Sequence, residues 1–334
     1  MGKRLTVLGA GSWGTALALQ AAKNGCDTLL WGHNPAHIQK LAADRANLRY
    51  LPDVPFPKNL QLTASLEQAT HFSQTLLIVV PSHAFKTTLE HIKPFLSPDS
   101  QIAWATKGFN PKDGCLLHQV VEQVLSPTLA KAVLSGPTFA REVALGLPTA
   151  VTVAADSAEF SDHLSHLLHN PSFRIYTSTD IIGVEIGGAV KNVLAIAAGI
   201  ADGLGFGANT RSALITRGLN EMIRLGLKLN GQPDTFMGLA GLGDLVLTCT
   251  DDQSRNRRLG LALGKGISRQ DALKQIQQHV EGVSAAQETW HLAQKLSVDM
   301  PITEQTYRVL YENLNPEQAV HNLLTREQKA EVAG

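Results

Sequence analysis

Apolar and polar positions divide the chain into two unlike halves. Arg4–Leu8 is a short β-rich run, and residues 13–24 carry Ala and Leu at helical spacing up to Gly25. Residues 27–32 form a second β-rich run. Residues 76–80 (LLIVV) are apolar throughout and stop at Pro81; residues 102–106 and 132–134 are similar, each followed by glycine within a few positions. Thr149–Ala155 alternates, which predicts an edge strand. Continuous apolar strands separated by helical segments predict a mostly parallel sheet covered on both faces. From about Asp180 the pattern turns helical. A long Gly- and Ala-rich run at 181–204 is followed by 210–229, 259–263, 284–296 and 304–310, with no convincing strand. The expectation is an α/β fold: a sheet domain over residues 1–185, then an all-helical domain over 186–334, with no internal repeat.

Composition narrows the function classes. The chain has 334 residues, 44% of them hydrophobic, with Lys+Arg and Asp+Glu equal at 29 each. A neutral chain with few charge runs is not expected to bind nucleic acid or to be disordered. Cys26, Cys115 and Cys249 lie far apart without a C-x-x-C, which argues against a disulfide framework or a zinc site and for a reducing, cytoplasmic compartment. No secretory signal precedes the run at Leu5, and no uninterrupted apolar stretch reaches membrane-spanning length, so membrane insertion is not expected. Met1-Gly2 with Thr6 matches a myristoylation pattern formally, but Thr6 reads as the inside of a strand.

The first candidate chemistry is Gly9-Ala10-Gly11-Ser12-Trp13-Gly14, placed between a predicted strand and a predicted helix. That context suits a Rossmann-type dinucleotide site: the first glycine allows a tight turn, the second close approach to a pyrophosphate, the third close helix packing. The helix start presents free amides to phosphate. The bland alternative is a glycine-rich turn with no ligand. An acid that would hold the ribose hydroxyls of NAD is expected roughly 20 residues further on, but Trp31-Gly32-His33-Asn34-Pro35 contains none. NADP is therefore admitted beside NAD, with His33 either assisting a 2′-phosphate or serving as an ordinary loop histidine.

Ligands of open parallel sheets bind at the carboxyl ends of strands. Val80-Pro81-Ser82-His83, Thr106-Lys107-Gly108-Phe109 and Ser135-Gly136-Pro137-Thr138-Phe139-Ala140 all fall there. Lys107 stands where an anionic substrate or a nicotinamide would lie; the alternative is a snorkelling surface lysine. Lys191 is sharper. It interrupts a long apolar helix, with Val190, Val193, Leu194 and Ile200 on one stripe and Gly187, Gly188, Ala195 and Ala198 on the other side. A lysine so placed needs a partner or a task. Burial lowers its pKa and suits it to proton transfer; the alternative is an ion pair with Glu185 or Asp244. Further on, Ser254 can cap a helix whose first turn, with Arg255 and Asn256, holds an anion. On its own that segment reads equally as a solvated basic helix start. No His, Asp or Glu cluster at metal-ligand spacing appears.

Together these segments resemble the bacterial-type NAD(P)-dependent glycerol-3-phosphate dehydrogenases, over nearly the whole chain. The resemblance rests on G-A-G-S-W-G at 9–14, V-P-S at 80–82, T-K-G at 106–108 and S-G-P-T-F-A at 135–140. Above all it rests on GAVKNVLAIAAGIADGLGFGAN at 188–209. GLAGLGDLVLT at 238–248, S-R-N-R-R at 254–258 and V-E-G at 280–282 complete it. It implies a fold like that of 6-phosphogluconate dehydrogenase, a homodimer, and reversible reduction of dihydroxyacetone phosphate to sn-glycerol 3-phosphate by NADPH or NADH, without a metal. It implies Lys191 as proton acceptor and donor, with Lys107, Asp244 and Thr248 around it. Substrate contacts fall on Lys107, Gly136, Thr138, Lys191 and Asp244, and its phosphate on Ser254, Arg255 and Asn256. Cofactor contacts fall on Gly9, Gly11, Ser12, Trp13, Gly14, His33, Lys107, Ala140, Arg255 and Glu281. The rival readings are a hydroxyacid or ketopantoate dehydrogenase of the same architecture, which needs no phosphate grip, and a cofactor sensor, which has no use for a buried base.

Overall fold

The computed structural model describes residues 3–327. Its main sheet runs, edge to edge, Phe173–Ser178, Thr149–Ala155, Lys131–Ser135, Gln101–Trp104, Thr75–Ile78, Arg4–Leu8, Asp27–Trp31 and Leu60–Thr63. The six strands from Lys131–Ser135 onward are mutually parallel. Thr149–Ala155 opposes them, and Phe173–Ser178 runs parallel to Thr149–Ala155. Apolar runs at the centre are explained by two covered faces. Leu77 and Ala103 point to one core with the helix Ser12–Lys23, while Leu76, Ile78, Ile102 and Trp104 point to the other with Ser82–Ile92 and Leu117–Val124.

The edge expected at Thr149–Ala155 is corrected: that strand is interior. The outer place is taken by Phe173–Ser178, whose polar positions FRIYTS are mostly open to solvent. At the other edge Leu60–Thr63 is likewise half polar. Short edge strands that mix buried and open positions carry a weaker pattern than central ones, so neither stands out in the sequence. Thr6 is fully buried and donates to the Ala69 carbonyl; Met1 and Gly2, and with them the acylation pattern, lie outside the described residues.

From Asp180 onward the described residues form helices only. Asp180 caps Ile181–Gly203 through the Gly183 amide. This helix is long and apolar enough to cross a membrane by length and composition, but 89% of its apolar window is buried inside the molecule, as in the core helix of a folded domain. Around it pack Ala208–Lys228, Asp244–Thr250, Arg255–Gly264, Glu281–Lys295 and Pro301–Tyr311. Glycines set the closest crossing. A Cβ on Gly199 would lie 2.2 Å from the Arg257 carbonyl oxygen, and one on Gly260 2.1 Å from that of Ile196. Backbone therefore meets backbone, which brings the start of Arg255–Gly264 beside the middle of Ile181–Gly203.

Candidate active site

Each loop glycine has a separate structural cause. Gly9 has φ +131°, and a Cβ there would sit 2.3 Å from the Val79 carbonyl oxygen. A Cβ on Gly14 would sit 1.8 Å from the Gly9 carbonyl oxygen, so only glycine lets the helix Ser12–Lys23 close on the loop. A Cβ on Gly11 would meet nothing within 4 Å: it faces open space. Gly11 is also the N-cap residue and supplies no side chain, leaving the first-turn amides free. They open into a cleft of about 450 Å³. It is lined by Gly11, Ser12, Trp13 and Gly14 of the loop, by Val79–Pro81 and Thr106 at strand ends, and by Arg49, Tyr50, Arg255 and Glu281. The buried Trp13 Nε1–H has no partner among the described residues. An open cradle, free helix-start amides and an orphan donor fit a dinucleotide. His33 is exposed just past the end of Asp27–Trp31, and Ala140 opens the helix Ala140–Leu145; neither belongs to the cleft lining.

Beyond the cleft, two lysines from opposite halves meet on one carboxylate. Asp244 is fully buried at the start of Asp244–Thr250. Its Oδ1 accepts from Lys191 Nζ at 2.6 Å and its Oδ2 from Lys107 Nζ at 2.5 Å. Thr248 Oγ1 accepts from Lys191 at 2.9 Å and donates to the Asp244 carbonyl at 2.6 Å. The choice of partner for Lys191 is thus settled as Asp244; Glu185 is turned instead to His118, 2.6 Å away. Burial lowers the Lys191 pKa to about 8, with Asp244 opposing the shift and Lys107 adding to it. The small face around Lys191 is filled by the chain itself, backbone at one glycine and a side chain at the next: a Cβ on Gly187 would lie 2.4 Å from the Ala240 carbonyl oxygen, and one on Gly188 2.9 Å from Ser135 Oγ. Lys107 Nζ also lies 3.4 Å from the Gly136 carbonyl, which accepts from Thr138 Oγ1 at 3.2 Å. Gly136 and Thr138 therefore border the lysine pair.

The segment 254–258 divides by role. Ser254 Oγ caps Arg255–Gly264 by accepting from the Arg257 amide at 3.2 Å. Asn256 is buried and spans three helices: its Nδ2 donates to Asn192 Oδ1 at 2.8 Å and its Oδ1 accepts from the Gly282 amide at 2.9 Å. Arg257 pairs with Asp202 and Asp252. Arg255 lines the cleft beside Glu281. Four further residues join the site: Asn192, whose signal is its place in the V-K-N run, and Asn47, Arg49 and Tyr50. The last three come from a short segment with no recognised motif.

The fold and the cleft-plus-lysine arrangement define a nicotinamide-dinucleotide-dependent dehydrogenase. Family models described as the N-terminus and the C-terminus of NAD-dependent glycerol-3-phosphate dehydrogenase match residues 4–161 and 180–321. The chain is 57% identical over 328 residues to glycerol-3-phosphate dehydrogenase [NAD(P)+] of Aeromonas salmonicida, covering 98% of both chains. It is 58% identical over 331 residues to that of Sodalis glossinidius, covering 99% of this chain and 98% of the relative. The crystal structure of glycerol-3-phosphate dehydrogenase from Coxiella burnetii superposes with a TM-score of 0.95 at 49% identity, over 97% of this chain and 99% of that one. The chain belongs to the NAD-dependent glycerol-3-phosphate dehydrogenase family.

Proposed function

We propose that the chain catalyses the reversible, NAD(P)H-dependent reduction of dihydroxyacetone phosphate to sn-glycerol 3-phosphate, a supply step for glycerophospholipids. The carrying observation is the buried Asp244 carboxylate shared by Lys191 and Lys107. When bound, the nicotinamide supplies the hydride to the substrate's C2, or accepts it in reverse. As the carbonyl oxygen gains negative charge, the Lys191 ammonium stabilises it and passes it a proton; in oxidation the neutral amine takes that proton back. Asp244 and Thr248 fix the amine's direction. Lys107 is the second cation at the carbonyl end, with Gly136 and Thr138 beside it. Ser254, Arg255 and Asn256 receive the phosphate, and its binding orients C2. The loop 9–14, Trp13, His33, Ala140, Lys107, Arg255 and Glu281 are assigned to the cofactor.

Residues 1–185 would then hold the cofactor and 186–334 the substrate and a homodimer contact. A groove of about 1110 Å³ among helices of the second half, lined by Ile200, Leu214, Ile223, Val320 and Leu323, supports the dimer. A cytoplasmic setting is supported by free Cys26 and Cys249, both buried, and Cys115, partly so. The competing hydroxyacid reading has a fold-level parallel alone: a ketopantoate reductase from Ralstonia eutropha superposes with a TM-score of 0.60 at 14% identity, over 95% of this chain and 100% of that one.

The test follows NADPH oxidation with dihydroxyacetone phosphate and with unphosphorylated dihydroxyacetone. The phosphate ester should be preferred by about a thousandfold or more in kcat/KM, and equal rates remove the phosphate grip. Lys191→Ala should lower kcat by roughly 10²–10⁴ while NADPH still binds; near-normal turnover in that variant defeats the mechanism.

A further inference from the structure

We infer that Arg49 selects the cofactor, by gripping the 2′-phosphate that distinguishes NADP from NAD; this rests on reading the cleft as the dinucleotide site. The end of Asp27–Trp31, where this fold places the adenosine ribose, offers Gly32, His33 and Asn34 and no carboxylate. Asn34 is committed as a helix cap, its Oδ1 accepting from the His37 amide at 3.1 Å.

Arg49 and Tyr50 line the cleft, and Tyr50 meets His37 of the helix Pro35–Asp44 that follows this strand. Their segment is pinned to the glycine loop. Asn47, fully buried, donates through Nδ2 to the Ala10 carbonyl at 3.3 Å and to Thr15 Oγ1 at 2.8 Å. His37 Nε2 lies 3.3 Å from the same carbonyl, and the His37 ring meets Tyr50 edge-on at 6.3 Å between centroids. The Arg49 guanidinium lies over the Tyr50 ring, 5.2 Å from its centroid. It is thus an exposed fork carried two residues after a buried anchor, on a platform tied to the pyrophosphate loop.

Its neighbours leave it available. Arg45, the other cation of the segment, is spent on the carbonyls of Phe56, Pro57 and Leu60. The nearby acid Asp53 pairs with Arg141. Among the described residues Arg49 has no ion-pair partner. Arginine matches a phosphate with two parallel N–H bonds, and a guanidinium already held over an aromatic face loses less freedom in forming them. A ribose hydroxyl offers no such charge.

Binding to the apo-chain tests this without turnover. Calorimetry should show the parent holding NADPH more tightly than NADH, and 2′,5′-ADP more tightly than 5′-AMP. Arg49→Ala should weaken NADPH and 2′,5′-ADP by about tenfold or more and change NADH and 5′-AMP by less than about twofold. Arg49→Lys, with charge but no fork, should fall between. Equal weakening of all four ligands, or a parent that ignores the 2′-phosphate, overturns the inference. Failure to reduce dihydroxyacetone phosphate would remove the proposed reaction and leave this binding pattern intact. Turnover of that substrate by a chain lacking the pattern would remove only the role of Arg49.

Discussion

At the residue scale, the pKa of Lys191 makes the reaction's two directions diverge with pH. Burial brings the amine to about 8, and reduction needs its protonated form while oxidation needs the free base. The kcat/KM for reduction should therefore fall as pH rises through about 8, and that for oxidation should rise over the same interval. Asp244 pulls the Lys191 pKa upward. Asp244→Asn should accordingly displace both midpoints to lower pH, alongside a loss of rate from the loosened lysines. Profiles of the two directions that stay in place or move upward in this variant would refute the role given to the carboxylate. Lys191 was conspicuous in the sequence because a lone cation inside an apolar helix requires an explanation. Its partner was not: Glu185 and Asp244 are chemically equivalent candidates, and only the fold turns Glu185 toward His118 and lays Asp244 between two lysines.

At the scale of elements, glycines separate packing from binding. Gly199→Ala and Gly260→Ala each put a methyl group near 2 Å from a carbonyl oxygen of the facing helix, so the two helices must part. Each should cost about 1–3 kcal/mol or more. Each should also raise KM for dihydroxyacetone phosphate, because the Asn192–Asn256 bond crosses this contact. Gly11→Ala should behave oppositely: its methyl enters open space, so the urea midpoint holds while NADPH affinity falls. If Gly11→Ala unfolds the chain, or Gly260→Ala leaves stability and KM alone, the assignment of these contacts fails. Such contacts explain which elements were legible. The central strands and the helices Ser12–Lys23 and Ile181–Gly203 announce themselves through long runs buried on both faces or nearly all round. Phe173–Ser178 and Leu60–Thr63 are short runs that mix buried and open positions, and Asp244–Thr250 follows the π-helical turn Leu239–Gly243, whose glycines interrupt any helical period.

At the scale of the whole molecule, stability depends on acids that the proposed chemistry leaves unused. Burial raises Glu221 and Glu288 to about 7 each. An unfolded carboxyl titrates near 4.3, so between these values the folded state keeps a proton that the unfolded state has released. Their contribution to stability is complete below the unfolded pKa and is lost as pH rises to about 7. For Glu288 the loss is roughly 3 kcal/mol. The two sites nevertheless respond differently to removing the charge. Glu288 receives the Phe109 amide, and its buried Oε2 has no partner among the described residues. Glu221 caps Pro301–Tyr311, accepting from the amides of Ile302 at 2.6 Å and Thr303 at 3.0 Å and from Thr303 Oγ1 at 2.9 Å. Glu288→Gln keeps an acceptor and sheds the charge. Its Tm should match the parent's near pH 4.5 and exceed it by several degrees at pH 8. Glu221→Gln turns an NH₂ toward amides that themselves donate, and should lower Tm most at pH 8, where the parent accepts all three bonds with an unprotonated carboxylate. Scanning calorimetry of both variants from pH 4.5 to 8 decides the matter. A Glu288→Gln advantage that does not grow with pH would mean the charge is solvated in the folded chain, and a Glu221→Gln variant as stable as the parent would mean its carboxylate does not hold that helix.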